Sequence, residues 1–362
     1  MSELPIRDEL RGIEPYGAPQ LDVPVLLNVN ENPYPPSESL ASDAAKAVAD
    51  AMAGMNRYPD REALDLRADL AAYLAGESGV SLPAEQVWAA NGSNEIMLQV
   101  LQAFGGPGRT ALSFAPTYSM YPEYARNTST TWITAPRRDD FTIDPDDALA
   151  AVAEHRPHVV FLASPNNPTG TAVSLDLVRA LHEATDGIVV VDEAYAEFRR
   201  EQTPSALTLL ADHPRLLVTR TMSKAFAFAG ARLGYVAASR GVIDTLRIVR
   251  LPYHLSAVTQ AVARVALAHS AELQERVEQL RTTRDELAVW LRTHDLQVAD
   301  SDANFLLFGM FTDRHAVWQG LLDRGVLIRE TGPDGWLRVS VGTEEETEAF
   351  KTALLDVLGR TA

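Results

Sequence analysis

Residues 219–234, TRTMSKAFAFAGARLG, emerge from the apolar run RLLVTR at 215–220. A short, β-branched apolar run reads as a buried strand, so the Ser, Lys, Gly and Arg that come after it sit where that strand ends. Two upstream segments repeat the arrangement: VVFLA (159–163) leads into SPNNPTG (164–170), and GIVVVD (187–192) ends on a carboxylate and continues EAY. Strands that are apolar throughout, separated by amphipathic helical patterns, predict a mostly parallel sheet covered on both faces, the α/β class. In such sheets ligands lie beyond the carboxyl ends of the strands. The unusual residues of this chain fall there.

Lys224 stands among Ala, Phe and Gly, surroundings that desolvate an ammonium and free the amine to attack a carbonyl. The plainer reading is a surface lysine extending past small residues. Ser223 precedes it and Arg232 follows eight positions on, a hydroxyl and a guanidinium suited to a phosphate; alternatively Arg232 makes a surface ion pair. Asp192 ends a wholly apolar strand, where a carboxylate is costly unless it meets a cation such as a protonated pyridinium nitrogen, or caps the next turn. Asn167 either offers its amide to a ligand oxygen or only builds the SPNNPTG turn. In NGSNEIMLQVLQAF (91–104), Gly92, Ser93 and Asn94 open a helix whose free N–H groups form an anion site, with Glu95 in the first turn. Tyr118, in APTYSMYPEY (115–124), can stack on a planar ring or pack in the core.

Composition narrows the function. The 362 residues exceed the ~100–200 of one domain, which predicts a large domain with a smaller companion. A net charge of −17 repels phosphate backbones and anionic membranes, so no nucleic-acid partner is expected and an anionic substrate needs local arginines. With no cysteine there is no disulfide, thiolate metal site or cysteine nucleophile, and no metal is expected. The charged N-terminus lacks the apolar core of a signal peptide, and no run reaches the ~18 apolar residues of a membrane span. A soluble cytoplasmic protein with no membrane partner is the expectation.

Residues 1–36 are rich in proline and turn formers and read as an extended arm rather than a packed element. Asp60 of RYPD (57–60) is a candidate cap for the helix ending near AYLAGESG. After Ser256 one long helical pattern, AVTQ through RTH, is long enough to bridge two domains. Beyond it NFLLF, VLIRE and WLRVSVG read as strands, with helices around AVWQGLLDRG and EEETEAFKTALLDVL. The expected division is 1–50 for the arm and part of the small domain, 51–260 for the large cofactor-binding domain, and 261–362 for the C-terminal small domain.

Taken in order, NGSNE, PTY, PNNPTG, VDEAY and SKAFAFAGARLG resemble the fold-type-I pyridoxal-phosphate aminotransferases, and TMSKAF (221–226) resembles their class-II signature. The resemblance spans essentially the whole chain. It implies a large domain with a mostly parallel mixed sheet flanked by helices plus a smaller α+β domain, and pyridoxal 5'-phosphate held on Lys224 as a Schiff base. Lys224 would also move the substrate proton, and Asp192 would keep the pyridine nitrogen protonated. Tyr195 and Asn167 would bond the ring oxygen, and Tyr118 would stack on the ring. The cofactor phosphate would meet Ser223, Arg232, the N–H groups of Ser93 and Asn94, and Tyr58 reaching across from a second subunit, which implies a homodimer.

Within that superfamily LNVNENPYPP (27–36), RYPD, SDANFLLF (301–308) and the pair Arg329 and Arg338 are most similar to the branch that acts on histidinol phosphate. The resemblance then implies Tyr16, Asn30, Arg329 and Arg338 as substrate-binding residues, and L-glutamate with 2-oxoglutarate as the co-substrate pair. Two arginines can serve phosphate or carboxylate in turn. Aromatic amino-acid aminotransferases carry nearly the same set, and a decarboxylase or C–S lyase would also keep Lys224. A non-catalytic regulator of this fold needs a helix-turn-helix and a basic surface, and residues 1–50 offer neither.

Overall fold

The computed structural model describes residues 4–359. Strand β1 (Val25–Leu26) lies within the N-terminal stretch, and helix α1 (Glu38–Met52) starts where the Ser37 hydroxyl accepts from the Leu40 N–H. Helix α2 (Leu64–Ser78) follows. Asp60 is not its N-cap residue, yet its carboxylate accepts from the N–H groups of Glu62 and Leu64 at 2.9 Å, satisfying a helix-start donor from outside. Strand β2 (Val87–Ala90) leads through Gly92 into α3 (Ser93–Phe104), followed by β3 (Thr110–Ala115), α4 (Tyr121–Asn127) and β4 (Thr131–Pro136). Helix α5 (Pro145–His155), capped by Asp144, precedes β5 (Val159–Ala163); α6 (Leu175–Ala184), capped by Ser174, precedes β6 (Ile188–Asp192). Strands β7 (Leu216–Thr221) and β8 (Gly234–Ala238) bracket the Lys224 segment, and α7 (Arg240–Val249) follows.

Among the described residues strands β2 to β8 form one seven-stranded sheet, in the order β2, β8, β7, β6, β5, β3, β4. Only β8 runs against its neighbours in that sheet. Every residue of β5, β6 and β7 is buried: their apolar runs lie in the sheet interior, and the polar residues at the ends of β6 and β7, Asp192, Thr219, Arg220 and Thr221, are buried with them. Alternate side chains enter two cores: Leu162, Val191 and Val218 on one face, Phe161, Val190 and Leu217 on the other. Burial of each such side chain contributes roughly 1.5–3 kcal/mol relative to exposure. A charge at Val190 would therefore lose that contribution and strand an unpaired ion.

The long helical pattern after Ser256 is two helices, α8 (Ala257–Ala268) and α9 (Ser270–Thr293), which corrects the single bridging helix expected. His269 marks the break: its backbone leaves the helical region, and its ring meets Asp43 at 2.9 Å and Glu272 at 3.4 Å. The side chains of α9 change core along its length. Leu273, Val277 and Leu280 belong to the large-domain core, and Leu287, Ala288 and Leu291 to a second core.

That second core covers β9 (Gln297–Val298), β10 (Phe305–Gly309), α10 (Arg314–Leu322), β11 (Val326–Leu327), β12 (Trp336–Ser340) and α11 (Glu344–Leu358). Strands β12, β10 and β9 form an antiparallel sheet, whereas β11 pairs in parallel with β1. The expectation of an unpacked arm is therefore corrected for its second half: Leu27, Asn28 and Asn30 are buried in their own chain, because β1 supplies the strand that β11 lacks. Among the described residues no helix is long and apolar enough to cross a membrane.

Candidate active site

The carboxyl ends of β3, β5, β6 and β7 open onto a cavity of about 460 Å³, a volume suited to a small molecule. The start of α3 and the approach to β8 reach the same place, because β8 runs backwards and brings its first residues to that edge. Ser93, Asn94, Tyr118, Asn167, Asp192, Tyr195, Ser223, Lys224 and Arg232 all line the cavity, joined by Tyr16, Asn30, Arg329 and Arg338. Sequence segments more than 300 residues apart thus meet at one point. A larger open groove beside Tyr73, Glu77 and Arg199 contains none of these residues.

Lys224 donates from Nζ to the Val29 carbonyl at 2.9 Å. Burial pulls its ammonium down to about 8, with Arg338 and Arg232 adding like-charge repulsion and Glu31 opposing them. Such an amine is a nucleophile near neutral pH. The surface-lysine alternative does not describe it.

Asp192 is buried, and among the described residues no cation pairs with it. The Tyr121 hydroxyl donates to Oδ2 at 2.8 Å and the Thr219 hydroxyl to Oδ1 at 3.1 Å. Burial still pushes its carboxyl above the ordinary range, against these two hydroxyls and the Ala194 N–H. A buried carboxylate with hydroxyl partners and no counter-ion fits a protonated ring nitrogen.

A phosphate fits the opposite end. The first-turn N–H groups of Ser93 and Asn94 have no acceptor within α3. Arg232 reaches Ser223 Oγ at 3.3 Å from an exposed position and forms no carboxylate pair among the described residues. Gly92 (φ +83°) makes this approach possible, since a Cβ there would lie 2.7 Å from Arg232 Nη2. A Cβ at Gly234 would overlap the backbone nitrogen of Ser93. The two glycines bring strand, helix start and guanidinium together.

Between these ends, Tyr195 accepts from Asn30 Nδ2 at 3.0 Å, and Asn30 Oδ1 accepts from Ser340 at 3.1 Å. Asn167 accepts from Arg338 Nη1 at 2.5 Å, leaving its own N–H groups without a partner among the described residues. Arg338 also donates to the Asn28 carbonyl at 2.7 Å, and burial pulls its guanidinium down to about 10. Arg329 sits opposite it, the two backbones exchanging hydrogen bonds at 2.9 Å. Both line the cavity, and no carboxylate pairs with either arginine among the described residues, an arrangement suited to an anion. The Tyr16 hydroxyl reaches the site through Ser119 Oγ at 2.9 Å.

Tyr58 does not join this group. It is 79% exposed and stacks on Tyr253 at 4.3 Å, outside the cavity of its own chain. Reading the sequence missed Tyr121, Val29 and Asn28. Tyr121 carried a signal, three residues after Tyr118 at a helix start; the two backbone carbonyls carried none.

The chain matches the family model described as aminotransferase class I and II over residues 23–354. It is 61% identical over 360 residues to a histidinol-phosphate aminotransferase of Thermobifida fusca, covering 99% of this chain and 97% of that one. It is 58% identical to histidinol-phosphate aminotransferase 3 of Burkholderia lata, covering 99% and 97%. A Sinorhizobium meliloti histidinol-phosphate aminotransferase solved with pyridoxal-5'-phosphate superposes with a TM-score of 0.83 at 25% identity, covering 93% of this chain and 91% of that one.

Proposed function

The chain belongs to the class I and II aminotransferases, and from that premise we propose that it moves an amino group between L-histidinol phosphate and 2-oxoglutarate. The products are imidazole acetol phosphate and L-glutamate, a step of histidine biosynthesis. One observation carries the choice of substrate: identity of 61% over nearly the whole chain with a relative named for that reaction.

Pyridoxal phosphate, the cofactor, supplies an electron sink for the charge that develops at the substrate's Cα. The chain supplies the rest. Lys224 Nζ, whose neutral form burial favours, would take the proton from the substrate's Cα and deliver it to C4′ of the cofactor. Asp192 holds the proton on the ring nitrogen, while Tyr195 and Asn167 bond the ring oxygen and Tyr118 covers the ring. Ser223, Arg232 and the N–H groups of Ser93 and Asn94 hold the cofactor phosphate. Arg329 and Arg338, with Tyr16 and Asn30, take the anionic end of either substrate in turn. Tyr58, exposed in one chain, serves the site of a second copy in a homodimer. We place the enzyme in the cytoplasm.

The test is a single half-reaction. Enzyme loaded with pyridoxal phosphate and given L-histidinol phosphate without acceptor releases one equivalent of keto product per site. Absence of that product in the presence of bound cofactor would contradict the proposal.

A further inference from the structure

Tyr121 opens α4 and is fully buried. Its ring lies on Phe161 at 4.9 Å with 16° between planes and meets Tyr118 edge-on at 5.4 Å. Packing explains the ring but not the hydroxyl, because a buried phenol is costly unless it is bonded. The hydroxyl's partner is Asp192 Oδ2 at 2.8 Å. Oδ1 has the weaker Thr219 bond at 3.1 Å. Glu193, Tyr118, Tyr124 and Tyr195 also interact electrostatically with Asp192, and among the described residues no cation is paired with it.

Resting on the cofactor reading above, we infer that Tyr121 is a positioning residue: its hydroxyl keeps the Asp192 carboxylate charged and fixed in one orientation for the protonated ring nitrogen. A donor to the ionised form of an acid favours that form, and a charge-assisted bond is roughly twice as strong as a neutral one. Without the hydroxyl, Asp192 keeps one side-chain donor and loses charge at a higher pH. Cofactor binding is the quantity that falls.

Tyr121→Phe keeps the ring and its contacts and removes only the donor. The measurement is pyridoxal phosphate affinity of cofactor-free protein, read by fluorescence quenching, for Tyr121→Phe in the native and in the Asp192→Asn background. Binding should weaken about tenfold in the native background and less than about twofold in Asp192→Asn, since a residue acting through Asp192 has nothing left to act on. In the native background the pH below which affinity is lost should rise by about one unit, the equivalent of tenfold. Equal losses in both backgrounds, no loss in either, a loss independent of pH, or a Tyr121→Phe chain that does not fold would each overturn the inference. A native chain that binds no pyridoxal phosphate would overturn the cofactor reading along with it.

Discussion

Arg338 donates from Nη1 to the side-chain oxygen of Asn167 at 2.5 Å, tying β12 of the small domain to the turn that follows β5. One guanidinium thus contacts the residue proposed to bond the cofactor ring and lines the cavity where the substrate's anionic end is proposed to bind. Arg338→Lys keeps the charge but loses the planar fork. It should lower kcat/KM for L-glutamate by roughly 10²-fold while pyridoxal phosphate still binds. Steady-state kinetics beside a cofactor titration separates the two effects.

Lys224 gives a pH dependence with a definite sign. Its ammonium is pulled down to about 8, so the neutral amine grows as pH rises through 8 and is scarce well below it. The rate at which cofactor-free protein captures pyridoxal phosphate should rise with pH and level off above about 8. Burial is the main cause and Arg338 the next. Arg338→Gln should therefore move the midpoint upward, which stopped-flow absorbance will detect.

The close approach at Gly234 leaves no room for a side chain. A Cβ would meet backbone of Ser93 and Gly92, atoms that cannot swing aside. Gly234→Ala should destabilise the fold by about 1–3 kcal/mol and weaken cofactor binding through the displaced α3 start. Gly241, in α7 and with nothing within 4 Å of a Cβ, is the control: Gly241→Ala should leave cofactor binding unchanged and raise stability by up to about 1 kcal/mol. Thermal unfolding and cofactor titration of the two variants decide it.

Tyr58 tests the second subunit. Tyr58→Ala and Lys224→Ala chains should each be inactive or nearly so, yet mixing and reassembling them should restore about a quarter of native activity. Half of the randomly formed dimers then hold one site with native Lys224 on one chain and native Tyr58 on the other. No recovery on mixing would remove Tyr58 from the partner's site.

Much of this arrangement is visible in single segments: Asn167 and Lys224 follow, and Asp192 ends, short β-branched apolar runs that read as buried strands. What escapes a linear reading is contact between segments. Nothing local in AVTQ through RTH marks the break at His269, since helix-favouring residues lie on both sides and neither Gly nor Pro intervenes. The bond from Tyr121 to Asp192 spans 71 positions and that from Arg338 to Asn167 spans 171. Both depend on how α4 and β12 dock. The backbone carbonyls of Val29 and Asn28, which hold Lys224 and Arg338, are invisible to side-chain patterns.

The identity of the amine donor is the central claim, and one comparison tests it. Single-turnover rate constants per concentration should be measured on the same pyridoxal-phosphate-loaded enzyme with L-histidinol phosphate, L-phenylalanine and L-tyrosine. Histidinol phosphate should react at least about 10²-fold faster, because its phosphate gives the arginine pair more charge and more acceptor oxygens than the single α-carboxylate of phenylalanine or tyrosine. A faster half-reaction with phenylalanine or tyrosine would contradict the account.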